Sequence, residues 1–127
     1  THSGYRLIVT TRGFEAASAE SEALLDRSGS DPLYRRLCRL QKCFRARLTP
    51  KPWRCGLAQP PVKFPFDSER EQSLFRKWET RYGEAIAGFA TCHFIGTFGP
   101  TEVDAALADL IQLHDHETKA TWQLPLA

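Results

Sequence analysis

Apolar residues recur along the chain at two spacings, and the switches between them mark the predicted elements. Tyr5-Arg6-Leu7-Ile8-Val9-Thr10 is rich in aromatic and β-branched positions and is bounded by turn formers, which predicts a strand. Ser18 to Arg27 carries good helix formers with Leu24 and Leu25 as its apolar share, and Ser28-Gly29-Ser30 stops it. A second helix is predicted from Asp31-Pro32 to about Arg47. Asp31 can accept from the open amides of the first turn, and Pro32 loses no hydrogen bond there. On that helix Leu33, Leu37, Leu40 and Phe44 fall within about 60° of arc, a stripe predicted to face a core. Arg35, Arg39 and Lys42 lie roughly opposite it, with Arg36 and Arg47 on one border and Arg45 towards the other.

Alternating prolines then forbid helix, so residues 49–66 read as a Pro-rich strap. Ser68 and Glu71 form a capping box for a third helix. Its apolar face, Leu74, Phe75, Trp78, Tyr82, Ile86 and Phe89, reaches as far as Ala90. Cys92 to Phe98 reads as a second strand ended by Gly99-Pro100. Thr101 with Asp104 caps a last helix with the stripe Val103, Leu107, Leu110 and His114. The apolar tail Trp122 to Ala127 is expected to dock. The expected class is α+β, about four helices packed on a small sheet. Two strands are too few for a free-standing sheet, so further strands are expected from a missing N-terminal strand, from residues 57–66 or from a partner chain. The Ser3-Gly4 pair before Tyr5 resembles a hairpin turn, and the chain reads as a fragment lacking its first strand.

Composition narrows the class without naming a reaction. With 127 residues, 42% hydrophobic and 25% charged, and a mean hydropathy of -0.39, the chain is expected to form a single domain over 1–127. A disordered tail, a coiled coil, a collagen-like repeat and a membrane span are excluded, since no stretch approaches the roughly 20 apolar residues that a bilayer requires. Charge adds more than its total of +2. Between Pro32 and Phe66 no acidic residue occurs while nine Lys and Arg contribute +9; residues 1–31 carry -2 and residues 67–127 carry -5. The cysteines at 38, 43, 55 and 92 follow no signal peptide and read as reduced thiols in a cytoplasm.

The acid-free block is the main functional signal. Clustered Lys and Arg hold phosphate backbones, and an aromatic ring nearby offers a stacking platform for bases. Arg35, Arg39, Lys42, Arg45, Arg47, Lys51, Trp53 and Arg54 are therefore the candidate polyanion-binding residues, with single-stranded nucleic acid as the expected partner. Phe44 lies on the apolar stripe, which makes Trp53 the better platform. The competing reading is that acidic segments fold over the block and neutralise it, each exposed pair contributing about 0 to 1 kcal/mol.

Other constellations are weaker. Cys38 and Cys43 are five apart, with Cys55 twelve further on, a poor match to zinc-ligand spacing, so no metal is expected. Neither a phosphate loop nor a dinucleotide fingerprint occurs, so no cofactor is implied. His93 and His114 are the only catalytic candidates. His114-Asp115-His116 are consecutive and point to different faces of a helix, which favours a core role for His114. Cys92 and His93, as strand neighbours, face opposite sides. No membrane partner is expected.

Residues 36–56, from Arg36-Leu37-Cys38 through Phe44-Arg45-Ala46-Arg47-Leu48-Thr49-Pro50-Lys51-Pro52-Trp53-Arg54-Cys55-Gly56, resemble a block in an uncharacterised family of bacterial proteins. The likeness continues in 89–99 and 113–127. It implies a bacterial cytoplasmic origin and transfers no catalytic residue. Gly4-Tyr5-Arg6 on one strand and His93 on another also look like elements of primase-polymerase domains, although the carboxylate pair of that family is not identifiable here. Three readings follow: a basic binding module for nucleic acid or another polyanion; an enzyme whose arginines hold a phosphate or carboxylate substrate; and a protein-protein interaction domain of a larger protein.

Overall fold

Caps and prolines decide where this chain is helical. In a computed structural model that describes Thr1–Ala127, the protein forms α1 (Ala19–Arg27), α2 (Pro32–Gln41), α3 (Glu69–Ile86) and α4 (Ala105–Thr118), with one 3₁₀ turn at Pro52–Cys55. Ser18, Asp31 and Ser68 accept from the amides of Ser21, Tyr34 and Glu71; α2 and α3 start at their predicted caps, and α1 starts one residue later than read, with Ser18 as its cap. Glu71 closes its box one residue early, on the amide of Asp67. At α4 the cap is Asp104, which accepts from Ala106, and not Thr101.

The expected α+β class is corrected. The chain is 43% helical with essentially no strand and no sheet. The sole ladder-like contact is an isolated parallel bridge between Ala90 and Leu126. Both predicted strands lack a partner, and a strand without one cannot satisfy its backbone. The Phe94 amide instead reaches Ala120, and the Thr10 carbonyl serves Asp104. Tyr5 and Phe98, at the ends of the predicted strands, are 86% and 82% exposed. The strands that the primase-polymerase likeness requires are thus absent. No helix is long and apolar enough to cross a membrane.

The chain divides into two compact units. The second unit, Ile8–Ala46 with Thr97–Leu110, contains α1, α2 and the start of α4. Here the predicted stripe of α2 is corrected: Leu33 and Leu40 are 63% and 67% exposed, and Leu37 and Phe44 are also exposed. The opposite side carries the links to α1 instead. Arg35 and Arg39 form ion pairs with Asp26 and Glu22 of α1, and Cys38 between them is buried. Lys42 takes a left-handed conformation that ends the helix at Gln41, so Arg45 and Arg47 are not helical.

The first unit gathers Thr1–Leu7, Arg47–Gly96 and Ile111–Ala127. Its strap folds onto α3 through an aromatic ladder. Phe66 lies against Phe75, Phe75 against Trp78, and Trp78 stacks on Tyr82 with centroids 5.0 Å apart. The Trp78 indole donates to the Ala58 carbonyl at 3.0 Å. The Tyr82 hydroxyl donates to the Pro50 carbonyl and accepts from Thr49. The tail docks as expected: Ala90 donates to Pro125, Thr91 to Thr118 and Ala127 to Ala90. Lys119 caps the C-terminal end of α3 through the Ile86 and Ala87 carbonyls.

Tyr82→Phe keeps the stacked ring and removes the hydroxyl, leaving the carbonyl of buried Pro50 without its donor. A loss of about 1 kcal/mol is expected. Urea unfolding checks this, with the midpoint lowered and the slope unchanged.

Candidate functional site

A left-handed Gly56 (φ 76) ends the 3₁₀ turn after Cys55, a conformation that costs a residue with a side chain more. In such a turn residues three apart eclipse, so Lys51 and Arg54 share an edge. They line a cleft of about 200 Å³ with Arg6, Arg47, Ser3 and Thr91. Thr1, His2 and the last residue, Ala127, also line it, no Asp or Glu does, and none of Arg6, Arg47, Lys51 and Arg54 is in an ion pair. Arg54 donates to the Ser3 hydroxyl, and Lys51 Nζ stands 5.1 Å from the centroid of the Trp53 ring, which is 55% exposed.

Arg6 joins this cleft to a buried histidine. Its Nη2 donates to the Arg47 carbonyl at 2.8 Å and its Nη1 to His114 Nε2 at 2.9 Å. A guanidinium only donates, so Nε2 accepts and the ring proton of neutral His114 lies on Nδ1, 2.8 Å from Asp115 Oδ1. Cys92 Sγ lies 3.9 Å from the same Nε2. Cys92 and His114 are both buried. The His114 carbonyl accepts from Thr118 Oγ1, and the Thr91 hydroxyl donates to Leu48.

The predicted polyanion residues separate. Arg47, Lys51, Trp53 and Arg54 belong to the first unit, and three of them line the cleft. Arg35, Arg39, Lys42 and Arg45 belong to the second unit. Arg35 and Arg39 are neutralised by α1, while Lys42 and Arg45 are exposed. His93 donates through Nε2 to the Leu124 carbonyl at 2.7 Å, beside a wide concavity of about 650 Å³ that it shares with Phe94 and Trp122. That space offers no second titratable group.

His114 gains what spacing alone seemed to deny it. Asp115, its immediate neighbour, still reaches Nδ1, whereas His116 turns to Glu117. Sequence reasoning missed Arg6, Asp115 and Cys92 as members of this site. Arg6 stood alone in a presumed strand, and nothing local signalled its pairing with His114. No group of three or more His, Cys, Asp or Glu side chains is placed to hold a metal ion.

Comparison with known proteins finds no matching family model, curated protein or solved structure.

Two measurements check this geometry. Nitrogen NMR of the His114 ring should show the proton on Nδ1; a proton on Nε2 would contradict donation by Arg6. At Cys55, burial pushes the thiol up, and the nearby Lys119 ammonium only partly opposes this. Since the folded thiol is raised above the unfolded one, its contribution to stability is present at lower pH and is lost as pH rises through the folded value. Alkylation of Cys55 in the folded chain should accordingly begin at higher pH than in the urea-unfolded chain, and coincident profiles would refute burial as the cause.

Proposed function

We propose that the first unit is a binding module for a phosphate-bearing polyanion, with single-stranded nucleic acid as the ligand class. The observation that carries this reading is the convergence of Arg6, Arg47, Lys51 and Arg54 on one cleft lined by no acidic side chain. Like charges gathered on one cleft repel, so an anion among them relieves a standing cost. Arg and Lys donors suit phosphate oxygens, and backbone phosphates would place successive bases within reach of the exposed Trp53 ring. A cleft of about 200 Å³ suits one phosphate and its sugar more than a duplex groove. The neutralised Arg35 and Arg39 are left out of this reading.

Four free cysteines support a reducing compartment. Together with the bacterial likeness of residues 36–56, they favour the cytoplasm.

Anisotropy of a labelled single-stranded oligonucleotide at about 50 and 200 mM salt tests the proposal, with log Kd rising by about 0.7 per decade of salt for each phosphate contact. In Lys51→Ala/Arg54→Ala the slope should fall by about 1.4. Arg35→Ala/Arg39→Ala should bind as the parent does. Binding that is absent at low salt, or that depends on Arg35 and Arg39 and not on the cleft pair, would sink the reading.

A further inference from the structure

One side chain of the cleft has a second attachment that anion binding alone does not explain. Arg6 lines the cleft and also donates to His114 Nε2 at 2.9 Å. Cys92 Sγ stands 3.9 Å from that same nitrogen, and Asp115 holds the opposite side of the ring at 2.8 Å. A neutral imidazole offers one lone pair, and here two donors face it. While Arg6 holds the lone pair, the thiol has no base. A proton arriving at Nε2 would also turn the ring into a cation pressed against a guanidinium.

The carboxylate, the imidazole and the thiol otherwise stand in the order that activates a nucleophile: Asp115 orients His114, and His114 faces Cys92. Thr91, the residue before Cys92, lines the cleft, while Cys92 itself is buried on the His114 side. Both acceptors now held by Arg6, the Arg47 carbonyl and the His114 ring, are uncharged. An oxyanion held by Arg47, Lys51 and Arg54 would offer the guanidinium a charge-assisted, bidentate bond, roughly twice as strong as a neutral one.

We infer that Cys92 is a masked nucleophile, unmasked when an anionic group in the cleft draws Arg6 away from His114. The thiol proton then passes from Cys92 Sγ to His114 Nε2. One S–H bond breaks and one N–H bond forms, no electron is transferred, and the result is a thiolate beside an imidazolium that Asp115 steadies. The substrate class is an electrophile that carries a phosphate, whose anion both seats the molecule and arms the thiol. Arg6 is here a positioning residue. The inference rests on the cleft being an anion site.

Inorganic phosphate is the probe, titrated at constant pH and at an ionic strength matched with sodium chloride. Calorimetry reports occupancy, ultraviolet absorbance reports thiolate by difference from Cys92→Ser, and nitrogen NMR reports the His114 ring. The expected result is saturable heat accompanied by a saturable gain in thiolate absorbance that Cys92→Ser lacks, and by protonation of Nε2. Arg6→Met, which has no donor, should show the thiolate without phosphate. If that variant loses its helical circular dichroism, the titration of the parent chain decides alone. Saturable heat with unchanged absorbance and an unmoved ring overturns the masked nucleophile and leaves the anion cleft standing. No saturable heat overturns both.

Discussion

The backbone of residues 90–94 is stitched to residues 118–127, and the first unit depends on that seam. Ala90, Thr91 and Phe94 donate to Pro125, Thr118 and Ala120, and Ala127 donates back to Ala90. The seam is built from small side chains: Ala90 and Thr118 are completely buried, with Ala120 and Ala127 close behind. Larger residues at these places would force the two segments apart, since a packed interior tolerates little added volume. Because the seam fixes Thr91 and Cys92, it also fixes what they face, the Leu48 carbonyl on one side and His114 on the other. The aromatic ladder of α3 then holds the strap whose turn carries Lys51 and Arg54.

The basic block meets two different fates, and the difference is physical. Arg35 and Arg39 are placed one turn apart on α2, where acidic residues of α1 reach them. Such exposed pairs contribute little energy, about 0 to 1 kcal/mol each. Their effect is orientational: they tie one side of α2 to α1 and leave its leucines exposed. In the cleft the cations have only carbonyl, hydroxyl, imidazole or ring partners, which do not cancel charge.

What was legible in the sequence is what local chemistry decides. Asp31 and Ser68 announced the starts of two helices because a cap is a contact between near neighbours. The strap was legible because its prolines forbid an α-helix and a ladder, though Pro52, at a first helical position, still opens a 3₁₀ turn that the reading excluded. The strands were not, since alternation in Tyr5 to Thr10 records only β-propensity, and a strand exists only where another backbone completes it. The direction of the α2 stripe was hidden for a similar reason: apolar spacing marks a face but not which face the neighbouring charges will claim. Half of the cleft, Arg47, Lys51 and Arg54, could be read as a local cluster. Arg6 and the pairing of Cys92 with His114 join residues 41 and 22 positions apart, and only tertiary contacts bring them together.

Neither compact unit is a continuous piece of chain. During synthesis, therefore, α3 and its strap emerge from the ribosome well before the residues that close the first unit. The small buried side chains of 90–92 stay unpartnered until 118–127 have been made. Closing loops that long slows folding and delays the cooperative structure of this unit until residues 118–127 are available. Arg6 is made more than a hundred positions before the histidine it pairs with, so the cleft is completed only after His114 has emerged.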